Sequence, residues 1–180
     1  LPKKQKHKNN HKTKNHPKTD KIKMAPKISI LIPCYNHEKY VGDAVKSALE
    51  PSLENFELII ADDCSNDNSF AVCSSFKNKN VFLFKNIANQ GAPSTINALL
   101  GKATGDFIAI LNSDDLFHPD RIKKIVTHME EAQLDLCGSL ITPIDKQGNP
   151  ISDETHWWNV WYNGLINNVR SENDIRRSLL

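Results

Sequence analysis

Phe56-Glu57-Leu58-Ile59-Ile60-Ala61-Asp62-Asp63-Cys64-Ser65-Asn66-Asp67 is the stretch that decides the fold class. A mostly apolar run breaks off at two aspartates and a polar loop. A strand that is apolar without alternation is buried on both faces, which is the habit of parallel sheets covered by helices.

The flanking sequence repeats the pattern. Before it, Lys27 to Ile32 carries Ile28, Ile30, Leu31 and Ile32 as a first strand that ends at Pro33, followed by the loop Tyr35-Asn36-His37-Glu38. Tyr40, Val41, Ala44, Val45, Ala48 and Leu49 keep helical spacing over about Lys39 to Leu49, with Pro51 as the stop. After the quoted stretch, Ser65 or Asp67 caps a helix through Phe70, Ala71, Val72 and Phe76, and Val81 to Phe84 is a third strand. Asn89-Gln90-Gly91 is a turn, Pro93 suits a first helical turn, and Ser94 to Ala103 is a helix ended near Gly105. Phe107 to Leu111 is a fourth strand, Pro119 to Ala132 a helix, Leu136 to Thr142 a fifth strand, and Asp145 to Pro150 a turn. This βα alternation predicts an α/β fold, a Rossmann-like, mostly parallel sheet flanked by helices.

Two strands end in paired acids, Asp62-Asp63 and Asn112-Ser113-Asp114-Asp115. In open α/β sheets ligands bind beyond the carboxyl ends of strands, where strand order reverses, so both loops are expected at one crevice. Asp114 and Asp115 suit a hard divalent cation such as Mg²⁺ or Mn²⁺, which takes oxygen ligands from one or two carboxylates and from substrate phosphates. The blander use of such a pair is to cap the next helix or stay solvated. The second acidic pair tips the balance, because acids sharing a crevice repel unless a cation or donors intervene. No glycine-rich phosphate loop and no Gly-x-Ser-x-Gly elbow occurs. His37, His118, His128 and His156 lack metal-ligand spacing and read as surface residues, and Cys34, Cys64, Cys73 and Cys137 read as reduced structural thiols.

The chain has 180 residues, room for one ordinary domain, and 39% of them are hydrophobic. Its net charge of +2 hides an asymmetry. Residues 1–26 hold nine lysines, three histidines and one acid, about +8, which leaves the body near −6. This tail has too few apolar residues to offset the entropy of ordering and is expected to be disordered. Its lysines offer a peripheral contact with anionic lipid, against the plainer reading of a solubilising extension. An acidic body argues against nucleic acid as partner. No run approaches the roughly 18 apolar residues of a membrane span, and the start lacks the apolar segment of a secretion signal, so a cytoplasmic place is expected, at most peripheral at the inner face of the membrane.

Three segments in order, Ile28 to Asn36, Phe56 to Ser65 and Gly105 to Asp115, resemble the motifs of family 2 glycosyltransferases, and the resemblance covers about Lys27 to Met129. It implies a GT-A fold and transfer of a sugar from a nucleotide diphosphate donor, with inversion, to a polysaccharide, glycan or lipid-linked acceptor. Pro33, Tyr35, Asn36 and Glu38 resemble the loop along the donor nucleoside, and Asp63 the acid that reads the base. A carboxylate only accepts and uracil offers a ring N–H, so a UDP-sugar is favoured. Asn89, Gly91 and Asn97 match the segment crossing the nucleotide, and Ala103 and Gly105 the tight entry to the fourth strand. Asn112-Ser113-Asp114 resembles the Asp-x-Asp motif with an amide in its first acid position, so metal binding falls to Asp114 and Asp115. Inverting transfer needs a general base. No segment after Asp115 resembles the one that carries it in the family, and neither Asp153 nor Glu154 is assigned. Residues 27–180 are therefore read as a family 2 domain truncated at its C-terminal side, and the alternative is a nucleotide-sugar-binding module without turnover. Trp157, Trp158 and Trp161 suit sugar stacking or a core contact equally.

Overall fold

The computed structural model describes residues 25–49, 54–157 and 159. Every residue of β1 (Ile28–Cys34) is buried, as its continuous apolar run requires, and β2 (Phe56–Asp62) is buried from Glu57 onward. With β3 (Val81–Lys85) and β4 (Phe107–Ile110) they form one parallel sheet in the order β3-β2-β1-β4. The chain moves outward from β1 to β3 and then returns to lay β4 on the other side of β1. Strand order therefore reverses between β1 and β4, the place where α/β sheets bind ligands.

The helices follow their apolar spacing. In α1 (Val41–Ala48), Val41, Ala44, Val45 and Ala48 are buried on one stripe, each valine contributing about 1.5–3 kcal/mol. The short α2 (Ser69–Ser74) begins where Asp67 Oδ1 takes the Ser69 N–H at 2.9 Å, so Asp67 caps it from just outside. α3 (Ala92–Leu100) starts two residues earlier than its pattern suggests, with Gly91 at φ 81° and Pro93 in its first turn. Leu99 of α3 packs with Leu31, Ile59 and Ala61 on one face of the sheet, and Ala103 lies against this cluster.

A buried polar network ties the opposite, N-terminal edge. Glu57 accepts from Lys27 Nζ at 2.7 Å, Ser29 Oγ at 2.6 Å and the Thr104 N–H at 2.7 Å. Gly105 sits so close that a Cβ there would lie 2.6 Å from Ser29 N, which explains the tight entry to β4.

The described residues divide into two compact units, one ending at Lys123 and the other beginning at Lys124. The sheet and α1 to α3 lie in the first. α4 (Arg121–Ala132) runs on into the second, where Gln133 turns out of the helix at φ 53°. The strand expected over Leu136 to Thr142 is absent: Leu136 and Leu140 are exposed, and one bridge, Ile144 to Pro150, closes the turn at Asp145. A short apolar run interrupted by Gly138 carries too weak a pattern to distinguish a strand from coil. Residues 1–24, Trp158, Trp161 and Tyr162 lie outside the described residues, so the expected disorder of the tail and the stacking role of those aromatics go with them. Trp157 is exposed. No helix among the described residues is long and apolar enough to cross a membrane.

Candidate functional site

Pro33 opens the site. The N–H groups of Phe107 and Leu111 donate to the carbonyls of Lys27 and Leu31 at 3.2 and 3.0 Å, so alternate, odd-numbered residues of β1 face β4. Cys34, one residue further, instead gives its carbonyl to the Asp63 N–H on the β2 side at 2.7 Å. Pro33 thus faces β4 with no N–H to offer. The β1–β4 ladder stops there, while β1 continues beside β2 through Cys34 rather than ending at Pro33.

Past that point lies a cavity of about 360 Å³. Of the residues expected at a nucleotide, Pro33, Tyr35, Asp63, Asn89, Gly91, Asn112, Ser113 and Asp114 line it. Asn36, Glu38 and Asn97 are not in its wall. Asn36, at φ 53°, gives its N–H to Ser65 Oγ at 2.9 Å and accepts the Asn66 N–H at 2.8 Å. Glu38 accepts the Asn68 N–H at 2.9 Å and donates its own to Asp67 at 3.0 Å. These two residues lace the loop after β1 to the loop after β2. Asn97 lies within α3, where its carbonyl accepts the Gly101 N–H.

Asp63 is buried and held by the protein's own donors. Oδ1 accepts from Asn86 Nδ2 at 2.7 Å and from the Gln90 N–H at 2.9 Å, and Oδ2 accepts the Gly91 N–H at 2.8 Å. Burial pushes this carboxyl up, but the Asn86 amide and the Gln90 and Gly91 N–H groups outweigh it and hold it below the usual range. It is an ionised acceptor with about one lone-pair position left, on Oδ2. The repulsion expected of acids at this crevice is thereby relieved by donors. Asp62 is fully buried, with Oδ2 accepting the Ser65 N–H at 3.2 Å and Oδ1 without a partner among the described residues.

In the second acidic loop, Asn112 and Asp115 close a turn: the Asp115 N–H meets the Asn112 carbonyl at 3.1 Å, and Asn112 Nδ2 donates to Asp115 Oδ2 at 2.9 Å. Asp114 lines the cavity with a half-exposed carboxylate. Among the described residues no three His, Cys, Asp or Glu side chains converge as a ready-made metal cage. The donor set still fits a hard divalent ion, which asks the protein for as little as one carboxylate when phosphates and water fill its other positions.

Sequence spacing gave no signal for four other wall residues, Cys34, His37, Ala92 and Thr95. The surface reading of His37 is corrected: it lines the cavity, with Nδ1 2.7 Å from the buried Ser113 Oγ. Thr95 Oγ1 accepts from Asn86 Nδ2 at 3.2 Å, behind Asp63. All four cysteines are unpaired, and Cys34 and Cys73 are buried.

The sequence model of glycosyl transferase family 2 matches residues 29–177. The chain belongs to glycosyl transferase family 2. Relatives of this family 2 chain include an uncharacterized glycosyltransferase of Haemophilus influenzae, 38% identical over 128 residues, which are 70% of this chain and 51% of the relative. The S. aureus TarS 1-349 structure in complex with UDP is 27% identical, with a TM-score of 0.55, over 64% of this chain and 38% of that one. The mannosyltransferase PcManGT from Pyrobaculum calidifontis, in complex with GDP-Man and Mn²⁺, shares the fold at 19% identity and a TM-score of 0.54, over 58% of this chain and 32% of its own. The chain thus spans about half the length of the Haemophilus relative and less of the solved structures. The parallel sheet is the Rossmann-like half of the GT-A fold that the motifs implied.

Proposed function

We propose that this chain binds the nucleotide-sugar donor of a glycosyltransferase that passes a sugar from a nucleoside diphosphate, preferably uridine diphosphate, to a glycan or lipid-linked acceptor with inversion. The observation that carries the base preference is Asp63: a buried, ionised carboxylate in the cavity wall with one acceptor position open. Uracil matches it with a single ring N–H, whereas a second donor would find the carboxylate already filled. The UDP-bound relative supports the same donor class.

Asp114 holds a divalent cation, Mn²⁺ or Mg²⁺, in this reading, and Asp115 joins as second ligand by giving up its bond to Asn112. The ion supplies charge neutralisation to the diphosphate as it leaves. The protein's own share is to seat the base on Asp63 and to offer the Asn112 amide to a ribose hydroxyl. We assign none of the described carboxylates as general base, because in this reading Asp63 is committed to the base and Asp114 to the cation.

Equilibrium dialysis of labelled uridine diphosphate, competed by uridine, guanosine and adenosine diphosphates, tests the reading. Uridine diphosphate is expected to compete at least tenfold better than the purine nucleotides, and equal competition by guanosine diphosphate would refute the role of Asp63.

A further inference from the structure

His37 ties the loop after β1 to the start of α2 and to the loop after β4. Its backbone N–H donates to Ser69 Oγ at the start of α2 at 2.8 Å, and its ring stands edge-on to Tyr40, with centroids 6.1 Å apart at 84°. From this anchorage after β1 its Nδ1 reaches Ser113 Oγ at 2.7 Å, in the loop after β4. The bond crosses the gap where Pro33 ends the β1–β4 ladder. Ser113 is buried and His37 half-buried, so the bond is partly shielded from bulk water, and Asp114 Oδ1 is 4.0 Å from the same nitrogen.

We infer that His37 is a positioning residue that fixes the Asp114 loop through Ser113, so that nucleotide in the cavity and a cation at Asp114 strengthen each other's binding while that bond is intact. The inference rests on the cation reading given above. Without the bond, the acidic loop keeps its own Asn112–Asp115 turn but loses its tie to the β1 side. Its carboxylate then has to be ordered when the cation arrives, and that cost weakens the cation, so that a given Mn²⁺ concentration does less for the nucleotide. Coupling between two ligands is reciprocal, so it is measured equally well from the nucleotide side.

The test is calorimetric titration of the chain with uridine diphosphate, without and with Mn²⁺, for the natural protein, His37→Phe and His37→Asn. Phenylalanine keeps the ring against Tyr40 but cannot bond Ser113, and asparagine restores a polar atom near the position of Nδ1. The factor by which a fixed, subsaturating Mn²⁺ concentration tightens binding is expected to fall about tenfold in His37→Phe and to recover in His37→Asn. A merely structural role would weaken both titrations together and leave the factor unchanged, and that result would overturn the inference. If the natural protein shows no Mn²⁺ factor, the cation reading fails and the inference with it. A retained factor in His37→Phe, beside a clear one in the natural protein, overturns the inference alone. Should His37→Phe not fold, Ser113→Ala breaks the same bond from the other side and is held to the same ratio.

Discussion

Asp63 Oδ2 accepts the backbone N–H of Gly91 at 2.8 Å, joining the end of β2 to the residue that starts α3. The same carboxylate holds the Gln90 N–H, so it shapes the cavity wall as well as facing the cavity. Removing it strands these donors, at about 1–3 kcal/mol for each that stays buried. Asp63→Ala is therefore expected to lose uridine diphosphate binding and also several degrees of thermal midpoint. Asp63→Asn keeps one acceptor oxygen and costs less stability, yet is expected to weaken the nucleotide at least tenfold. Wild-type affinity in a folded Asp63→Asn protein, measured by equilibrium dialysis, would remove Asp63 from base recognition.

Much of this was legible in the sequence, for reasons that can be named. β1 and β2 are buried on both faces, so their apolar runs announce them, and the acidic pairs lie at or just after the ends of β2 and β4. Pro33 was legible only as a terminator. Its part in parting β1 from β4 depends on which neighbour its missing N–H faces, a matter of register that sequence does not carry. Asn36 and Glu38 resemble the loop along the nucleoside, and only the structure shows that their side chains bond the neighbouring loop's backbone. His37 escaped notice because its partner, Ser113, is 76 residues away.

The two acids of the second loop are expected to behave differently. Asp114 lines the cavity, whereas Asp115 is engaged by Asn112. Asp114→Asn should abolish the tightening of uridine diphosphate by Mn²⁺, and Asp115→Asn should reduce it by less. Titration of both variants at fixed Mn²⁺ checks the order, and a larger effect at Asp115 would place the cation on the other side of the turn.

Glu57 makes stability depend on acid. Burial pushes its carboxyl up, but the bonds from Lys27, Ser29 and Thr104 prevail and bring it from 4.5 down to about 2. The unfolded chain takes up this proton first as pH falls. The contribution, roughly 3 kcal/mol, is therefore complete above pH 4.5 and is lost as pH drops toward 2. Urea midpoints between pH 5 and 2 should fall less steeply in Glu57→Gln than in the natural protein, and parallel curves would show that Glu57 is not the group responsible.

Gly105→Ala is expected to destabilise the fold by about 3 kcal/mol without touching the cavity, because the added methyl meets Ser29 N and the Lys27 carbonyl within 3 Å. Chemical denaturation measures the loss. A stability equal to the natural protein would mean that β1 and the turn before β4 separate more easily than their packing indicates.

The most direct test of the account is a calorimetric titration of the natural chain with uridine diphosphate, with Mn²⁺ present and again after chelator. The account predicts saturable binding at one site that weakens at least tenfold on chelation. Absence of binding, or binding that ignores both the chelator and the Asp63→Asn substitution, would contradict the claim that the cavity between β1 and β4 receives the nucleotide-sugar donor.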